Sequence, residues 1–357
     1  MAGISEYIRW RGDLSWEIAP FNEVDYYVFS KIGSPDLTGI VPEDASAVDL
    51  QNCNGRLFGS DPDSVVLGIL ASKSILKVQR LLPDTPRYRD LMLSGFRCSF
   101  NESEVKQFSA LTVLVPDGTC FVSFRGTDDF LVSWKEDFRM SVRDAVPAQH
   151  EAAEYLRWAA SVYDGPIIVA GHSKGGNLAV YAAAMQDPEV RERIAAVYSF
   201  DGPGFKPDFF TLEGYAAIRD RLHEIVPETS VIGTLLEKEV PLEIVRCLYS
   251  GVQSHDGYRW ETSPGGFVRA GSLTDTSMAL NTSMYNIVRE MSRDEADSLI
   301  EELFRILGET GAKTVSDLAD INLIGNFRLA GNLLRESRIR GLGGKLIENM
   351  LKCILRR

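Results

Sequence analysis

Residues 166–177 read PIIVAGHSKGGN, and the alanine-rich run Leu178–Ala184 follows directly. The apolar, β-branched start predicts a buried strand, and the alanine-rich run predicts a helix. Between them lies the pattern G-x-S-x-G, which is typical of a nucleophile elbow, a tight strand-to-helix turn that exposes one serine hydroxyl. Ser173 is that serine, and Gly171 and Gly175 keep side chains out of the crowded turn. The helix N-terminus after Ser173 favours a developing negative charge nearby.

Short apolar runs alternate with amphipathic stretches on both sides of this turn, from about residue 60 to 265. The alternation predicts an α/β fold with a mostly parallel sheet and helices on both faces. The predicted strands are Ala110–Val115, Cys120–Phe124, Ile167–Ala170, Ala195–Phe200 and Ile244–Tyr249. The predicted helices are Asn22–Phe29, Gln149–Val162, Met278–Met291 and Arg293–Leu307, the last with Ser292 as its cap.

The strand pattern begins near residue 60 and is lost after about residue 275. A chain of 357 residues is long enough for one large domain with an appendage. We therefore expect an N-terminal segment (1–60) packed on the core, an α/β core (61–270) and a helical C-terminal extension (271–357).

The composition, 45% hydrophobic and 25% charged, is that of an ordinary globular protein. No apolar stretch is long enough to span a bilayer, and the N-terminus lacks the apolar core of a signal peptide. The five cysteines are scattered, odd in number and without metal-ligand spacing. These features predict a cytoplasmic protein with reduced thiols and no metal site. The net charge of −12 argues against nucleic-acid binding, which needs a basic surface.

The charge is unevenly distributed along the chain. Residues 328–357 hold eight basic and two acidic side chains, a net charge of +6, so the remainder carries −18. Apolar residues from Leu342 to Leu355 follow a helical spacing, which predicts a basic amphipathic helix. This helix could dock on the acidic body of the same chain, which is the default for a surface helix. The other reading is peripheral contact with an anionic membrane surface.

A serine hydroxyl becomes a good nucleophile when a base takes its proton and an acid orients that base. Where a nucleophile elbow carries the serine, the chain order is Ser, then Asp or Glu, then His. Of the four histidines, His255 follows the last predicted strand in a polar loop, and it is the predicted base. His150 precedes the serine, His172 lies within the elbow and His223 lies in a strand-like run.

Three carboxylates are candidates for the acid. Asp201 follows the strand Ala195–Phe200 and begins a turn at the carboxyl edge, where active sites of open α/β sheets form. Glu224 and Glu228 lie one strand later, nearer to the usual place of the acid in the chain. Asp256 is a poor candidate because side chains adjacent in a loop rarely face each other.

An oxyanion requires backbone N–H donors from the residue after the nucleophile, here Lys174, and from an early strand-end loop. Thr127 occupies such a loop, in the run FRGT at residues 124–127. This run, Trp134, Asp137 and GHSKGG at residues 171–176 resemble the landmarks of class 3 (fungal-type) lipases. Residues 22–25, 199–204 and 255–260 resemble an uncharacterised bacterial branch related to those lipases.

The resemblance implies an α/β-hydrolase core with Ser173 as nucleophile, His255 as base, and Thr127 and Lys174 at the oxyanion hole. The lipases carry their acid as an aspartate just before a Val-Pro pair, and the similar place here holds Glu224. The choice between Asp201 and Glu224 therefore stays open.

Together these features predict a serine hydrolase that cleaves carboxylic esters through an acyl-enzyme, with a small-molecule ester or a lipid as substrate. The chemistry needs no metal or organic cofactor. A thioesterase, a peptidase and an inactive hydrolase-like binding protein remain the alternatives. We also expect the aromatic segment Phe205–Leu222 to form part of an apolar pocket or lid.

Overall fold

The computed structural model describes residues 2–59, 65, 67, 72–279 and 292–320. The helices are α1 (Ile4–Arg11), α2 (Glu23–Ile32), α3 (Leu50–Phe58), α4 (Ser74–Leu81), α5 (Leu131–Met140), α6 (Pro147–Val162), α7 (Lys174–Ala184), α8 (Pro188–Arg193), α9 (Glu213–Ile218), α10 (Arg293–Glu309) and α11 (Val315–Asp320). The strands are β1 (Ala47–Asp49), β2 (Met92–Asn101), β3 (Lys106–Leu114), β4 (Cys120–Phe124), β5 (Ile167–His172), β6 (Ile194–Phe200), β7 (Leu222–Pro227), β8 (Leu242–Val245), β9 (Thr262–Ser263) and β10 (Gly266–Phe267). None of the helices in these ranges is long and apolar enough to cross a bilayer.

Strands β1 to β8 form one sheet and lie in it in chain order. Neighbours from β1 to β4 are antiparallel, and those from β4 to β8 are parallel, so four of the seven pairings are parallel. The predicted mostly parallel sheet is confirmed. The predicted strand Ile244–Tyr249 is too long, because β8 ends at Val245. From Arg246 onward the backbone bonds to Glu261 and Val268 instead of the sheet.

Side chains alternate between the two faces of the sheet along β4 and β5. Val122 and Val169 pack with α6 and α7, whereas Phe121 and Ile168 pack with α2. Parallel strands joined in chain order by right-handed crossovers place their helices on one face, and the other face needs a separate cover. Helices on both faces are confirmed, and the N-terminal residues supply the second layer.

A buried carboxylate fastens this N-terminal layer. Asp25 on α2 is fully buried and accepts hydrogen bonds from Arg87 Nε at 2.8 Å and Arg87 Nη2 at 2.6 Å. The hydroxyls of Tyr88 and Tyr7 donate to it at 2.6 and 3.0 Å, and the Asn22 amide donates at 2.8 Å. One side chain therefore links α1, α2 and the segment before β2.

The described part of the C-terminal extension is helical, as predicted. The Ser292 hydroxyl caps α10, and the Glu295 carboxylate accepts from the Ser292 amide at 2.9 Å, which completes a capping box. On α5, Lys135 donates to Glu301 of α10 at 2.6 Å. Residues 280–291 of the predicted helix Met278–Met291, and the whole basic tail, lie outside the described residues.

The aromatic rings at the start of the segment Phe205–Leu222 pack into the core. Phe205 and Phe209 are buried and stacked on each other, and Phe209 also contacts Tyr181 of α7 and Tyr215 of α9. Burial of these rings favours packing against α7, whereas residues 211–213 of the segment are exposed, and its part in a pocket or lid stays a prediction.

Candidate active site

Ser173 lies in a strained turn between β5 and α7. Its φ of +60° and ψ of −133° are unusual for a residue with a side chain. The turn closes only because glycines surround it: a Cβ on Gly171 would lie 2.1 Å from the Gly175 carbonyl oxygen, and one on Gly175 would lie 2.1 Å from the Phe124 carbonyl oxygen. Ser173 itself is half-buried, whereas its neighbours His172 and Lys174 are buried. The predicted elbow is present.

His255 ends the 3₁₀ turn Gly251–His255, and Asp201 directly follows β6. The Nδ1 atom of His255 and Oδ2 of Asp201 are 2.6 Å apart. The His255 ring also lies against the ring of His172, which precedes the nucleophile, with 4.4 Å between their centroids. Asp201 and His255 therefore meet at the carboxyl end of β6, and Ser173 follows the neighbouring strand β5.

Asp201 is held in place by two further donors. Its Oδ1 accepts hydrogen bonds from the Ser230 hydroxyl and from the Gly233 amide, the latter at 3.1 Å. Asp201 is fully buried and has a φ of +48°, so its backbone turns sharply away from the sheet. These contacts direct the other oxygen, Oδ2, at His255.

Glu224, the other candidate acid, lies elsewhere. It is buried on β7, where its carboxylate accepts a hydrogen bond from the Lys238 ammonium. Asp256 accepts from the amide of Tyr258 in its own turn at 3.1 Å. Among the described residues, Asp201 is the carboxylate that contacts His255.

The other three histidines make separate contacts. His172 bonds through Nε2 to the His255 carbonyl oxygen at 2.7 Å, and through Nδ1 to Lys31 Nζ at 3.1 Å. His150 is exposed on α6, and His223 pairs with Glu243 at 2.6 Å. Burial and then the Lys31 charge hold the pKa of His172 well below its usual value, so it is neutral. Burial also lowers the pKa of Lys31 to about 8.

Sequence reasoning missed Lys31 and Ser230. Lys31 reaches the elbow from α2, 141 residues earlier in the chain, and Ser230 reaches Asp201 from the segment after β7. No local pattern marks either residue, because each contact depends on the tertiary fold.

The strand-end turn after β4 lies against the elbow. A Cβ on Gly126 would lie 2.8 Å from the His172 carbonyl oxygen and 3.2 Å from Ser173 Cβ. The next residue, Thr127, donates its hydroxyl to Asp137 on α5. Lys174 is the first residue of α7, where helix geometry leaves the backbone amide free of an intrahelical partner. Thr127 thus follows a residue that packs against the elbow, and Lys174 follows Ser173 in the chain.

The Asp137 carboxyl has an unusual environment. Burial raises its pKa to about 7, against the opposing effects of the Lys174 ammonium and the Thr127 hydroxyl. No group of three or more His, Cys, Asp or Glu side chains that could hold a metal ion occurs within the part of the chain that the structure describes.

An elbow serine, a histidine paired with a carboxylate and an eight-stranded α/β sheet define a lipase-like α/β-hydrolase. Residues 82–305 match the model of the Mbeg1-like family, and the chain belongs to this lipase-like family. The crystal structure of M37 lipase is similar at 13% identity and a TM-score of 0.36, over 60% of this chain and 69% of that one. No curated protein matches the chain. The class 3 lipase-like resemblance is confirmed, and the bacterial branch stays a prediction.

Proposed function

We propose that the protein is a serine hydrolase that cleaves carboxylic esters, with Ser173 as nucleophile, His255 as base and Asp201 as acid. The observation that carries this proposal is the 2.6 Å contact between Asp201 and His255 Nδ1, beside a strained elbow serine. Membership of a lipase-like family supports the reaction class.

In the proposed reaction, Ser173 Oγ attacks the ester carbonyl carbon while its proton passes to Nε2 of His255. Asp201 Oδ2 accepts a hydrogen bond from the Nδ1–H group throughout, which fixes the tautomer and stabilises the imidazolium. The amides of Thr127 and Lys174 donate to the carbonyl oxygen as it becomes an oxyanion. The tetrahedral intermediate then expels the alkoxide, which takes the proton from Nε2.

The resulting acyl-enzyme is hydrolysed by the same groups. Water gives a proton to His255 Nε2 and attacks the acyl carbon, and a second oxyanion forms at the same two amides. Its collapse returns the proton to Ser173 Oγ and releases the carboxylic acid. No metal or organic cofactor takes part in these steps.

The proposed substrate is a small-molecule ester or a lipid, and the proposed location is the cytoplasm. The basic tail, residues 328–357, is proposed to contact anionic membrane surfaces through its net charge of +6. Co-sedimentation with phosphatidylglycerol vesicles tests this part: a chain ending at Gly325 should bind less than the full chain. Equal binding would contradict it.

A fluorophosphonate probe tests the catalytic proposal, because it reacts with activated serines. The full-length protein should be labelled at Ser173, as located by peptide mass spectrometry, and Ser173→Ala should not be labelled. The neighbouring variant Ser161→Ala, on the surface of α6, is the matched control and should be labelled at the wild-type rate. Absence of labelling in the wild type would refute the proposal and favour a binding protein.

A further inference from the structure

A buried lysine side chain follows the elbow serine directly. The Lys174 side chain is 1% exposed, and its ammonium donates to the Gln107 carbonyl oxygen at 2.8 Å and to Glu136 Oε2 at 2.5 Å. Burying an ammonium is costly unless a charged partner and further hydrogen bonds compensate. The proposed reaction uses only the backbone amide of this residue, so the side chain has no role so far.

Glu136 on α5 is also fully buried, and every contact of its carboxylate is to a different element. The Gln107 amide of β3 donates to Oε2 at 2.9 Å, and the Ala148 amide of α6 donates to Oε1 at 2.9 Å. With the Lys174 ammonium from α7, three neighbouring elements therefore hold this one residue of α5.

Asp137, the next residue of α5, contacts Thr127, the other proposed oxyanion donor. Asp137 Oδ1 lies 3.7 Å from Lys174 Nζ, and its Oδ2 accepts the Thr127 hydroxyl. A continuous chain of contacts thus runs from Lys174 through Glu136 and Asp137 to Thr127. Its two ends are the residues that the proposed reaction uses as oxyanion donors.

We propose that Lys174 and Glu136 are positioning residues that fix the separation of the Thr127 and Lys174 amides through α5. This inference rests on the proposed function. Oxyanion donors act at 2.7–3.1 Å from the developing charge, so a small displacement of α5 moves one donor out of range. Loss of one such donor typically lowers kcat by about 10²–10³-fold.

If the ion pair only stabilised the fold, its removal would change stability and leave kcat at the wild-type value. Replacing both members of a buried ion pair by well-packed apolar residues of similar volume is often neutral for stability, whereas removing one leaves an unpaired charge. The double variant Lys174→Met/Glu136→Gln removes both charges and keeps one carbonyl oxygen at position 136 for a backbone amide. Because the glutamine NH₂ group then faces the second backbone amide, the melting temperature is measured beside kcat to separate a loss of stability from a loss of positioning.

The buried ion pair between Glu224 of β7 and Lys238 provides a matched control. Both side chains are less than 10% exposed, at 7% and 4%, and neither contacts Thr127, Lys174 or Asp137. Lys238→Met/Glu224→Gln is the same chemical change away from the elbow.

The experiment compares kcat and KM on p-nitrophenyl butyrate, and inhibition by an aryl trifluoromethyl ketone, which forms a tetrahedral oxyanion on the serine. The double variant at 174 and 136 should lose kcat by about 100-fold, with KM within threefold and the inhibition constant raised in proportion to the loss of kcat/KM. The control pair should keep all three values within threefold of wild type. A wild-type kcat in the first variant, or equal losses in both variants, would overturn the inference.

If the double variant does not fold, Lys174→Arg gives the same decision. The planar, longer guanidinium keeps the charge but cannot occupy the ammonium position without shifting α5. It should lower kcat about tenfold in protein that circular dichroism shows to be folded, with some loss of melting temperature from the overpacked site, and a wild-type kcat would overturn the inference. A wild-type protein that neither hydrolyses the ester nor binds the ketone would instead refute the proposed function.

Discussion

Replacing Asp201 by asparagine keeps the shape of the side chain and changes one hydrogen bond that the proposed reaction requires. In the native protein Oδ1 receives two donors, the Ser230 hydroxyl and the Gly233 amide, while Oδ2 faces His255 Nδ1. The asparagine carbonyl oxygen must therefore stay at the Oδ1 position, because an NH₂ group there would face two donors. The NH₂ group consequently points at His255.

The reversed hydrogen bond should place the histidine in the wrong tautomer. Nδ1 would accept from the asparagine, so the proton would lie on Nε2, which then cannot take the proton of Ser173. A change of this kind lowers kcat by about 10⁴-fold in serine proteases, which at 1.36 kcal/mol per tenfold is about 5.4 kcal/mol of transition-state stabilisation. We expect a loss of this size for Asp201→Asn.

The assay is hydrolysis of p-nitrophenyl butyrate, with folding checked by circular dichroism and active sites counted by fluorophosphonate titration. Glu224→Gln is the comparison, since Glu224 contacts Lys238 and not His255. It should retain kcat within threefold while losing some thermal stability. A kcat for Asp201→Asn within tenfold of wild type would refute the assignment of the acid, and a large loss in Glu224→Gln alone would transfer the role to that residue.

Three further predictions concern stability. Asp137 titrates near pH 7 in the folded protein against an ordinary value of 3.8, so between these values the native state holds a proton that the unfolded chain has lost. The contribution of Asp137 to stability therefore falls as pH rises from about 4 to about 7. Asp137→Asn should make the urea midpoint less dependent on pH over that window. An unchanged pH dependence would contradict the burial argument. Asp25→Asn leaves the buried Arg87 guanidinium without its counter-charge, so it should lower the free energy of unfolding by about 3–5 kcal/mol. Urea titration measures this loss, and a loss below about 1 kcal/mol would contradict the prediction. Gly175→Ala places a Cβ 2.1 Å from a backbone carbonyl oxygen of β4 and should abolish folded, active protein, whereas Gly55→Ala, with open space around it on α3, should leave the melting temperature unchanged or slightly higher.

The parts of the fold that the sequence predicts well are those set by local pattern. The elbow follows from two glycines around Ser173, and β4 has the predicted bounds because Cys120–Phe124 is a short apolar run between turn residues. The cap of α10 follows from Ser292 and Glu295 alone. In each case the residues that specify the structure are neighbours in the chain.

The parts that the sequence does not predict depend on contacts between distant residues. β2, Met92–Asn101, mixes polar and apolar residues and contains a bulge after Ser94, so it shows no clear alternation. The choice between Asp201 and Glu224 depends on which one reaches His255, across 54 residues of chain in the case of Asp201. No spacing rule in the sequence encodes that distance.

The layer that α1 and α2 place over the sheet has a consequence for how much of the chain forms a folding unit. The family match covers residues 82–305 and so omits both helices. A fragment cut at those limits would leave Phe121, Ile168 and Phe200 on an uncovered apolar face. Apolar surfaces of that kind lead to aggregation in water. The limits of family similarity are therefore narrower than those of the smallest stable protein, which has to include the N-terminal residues.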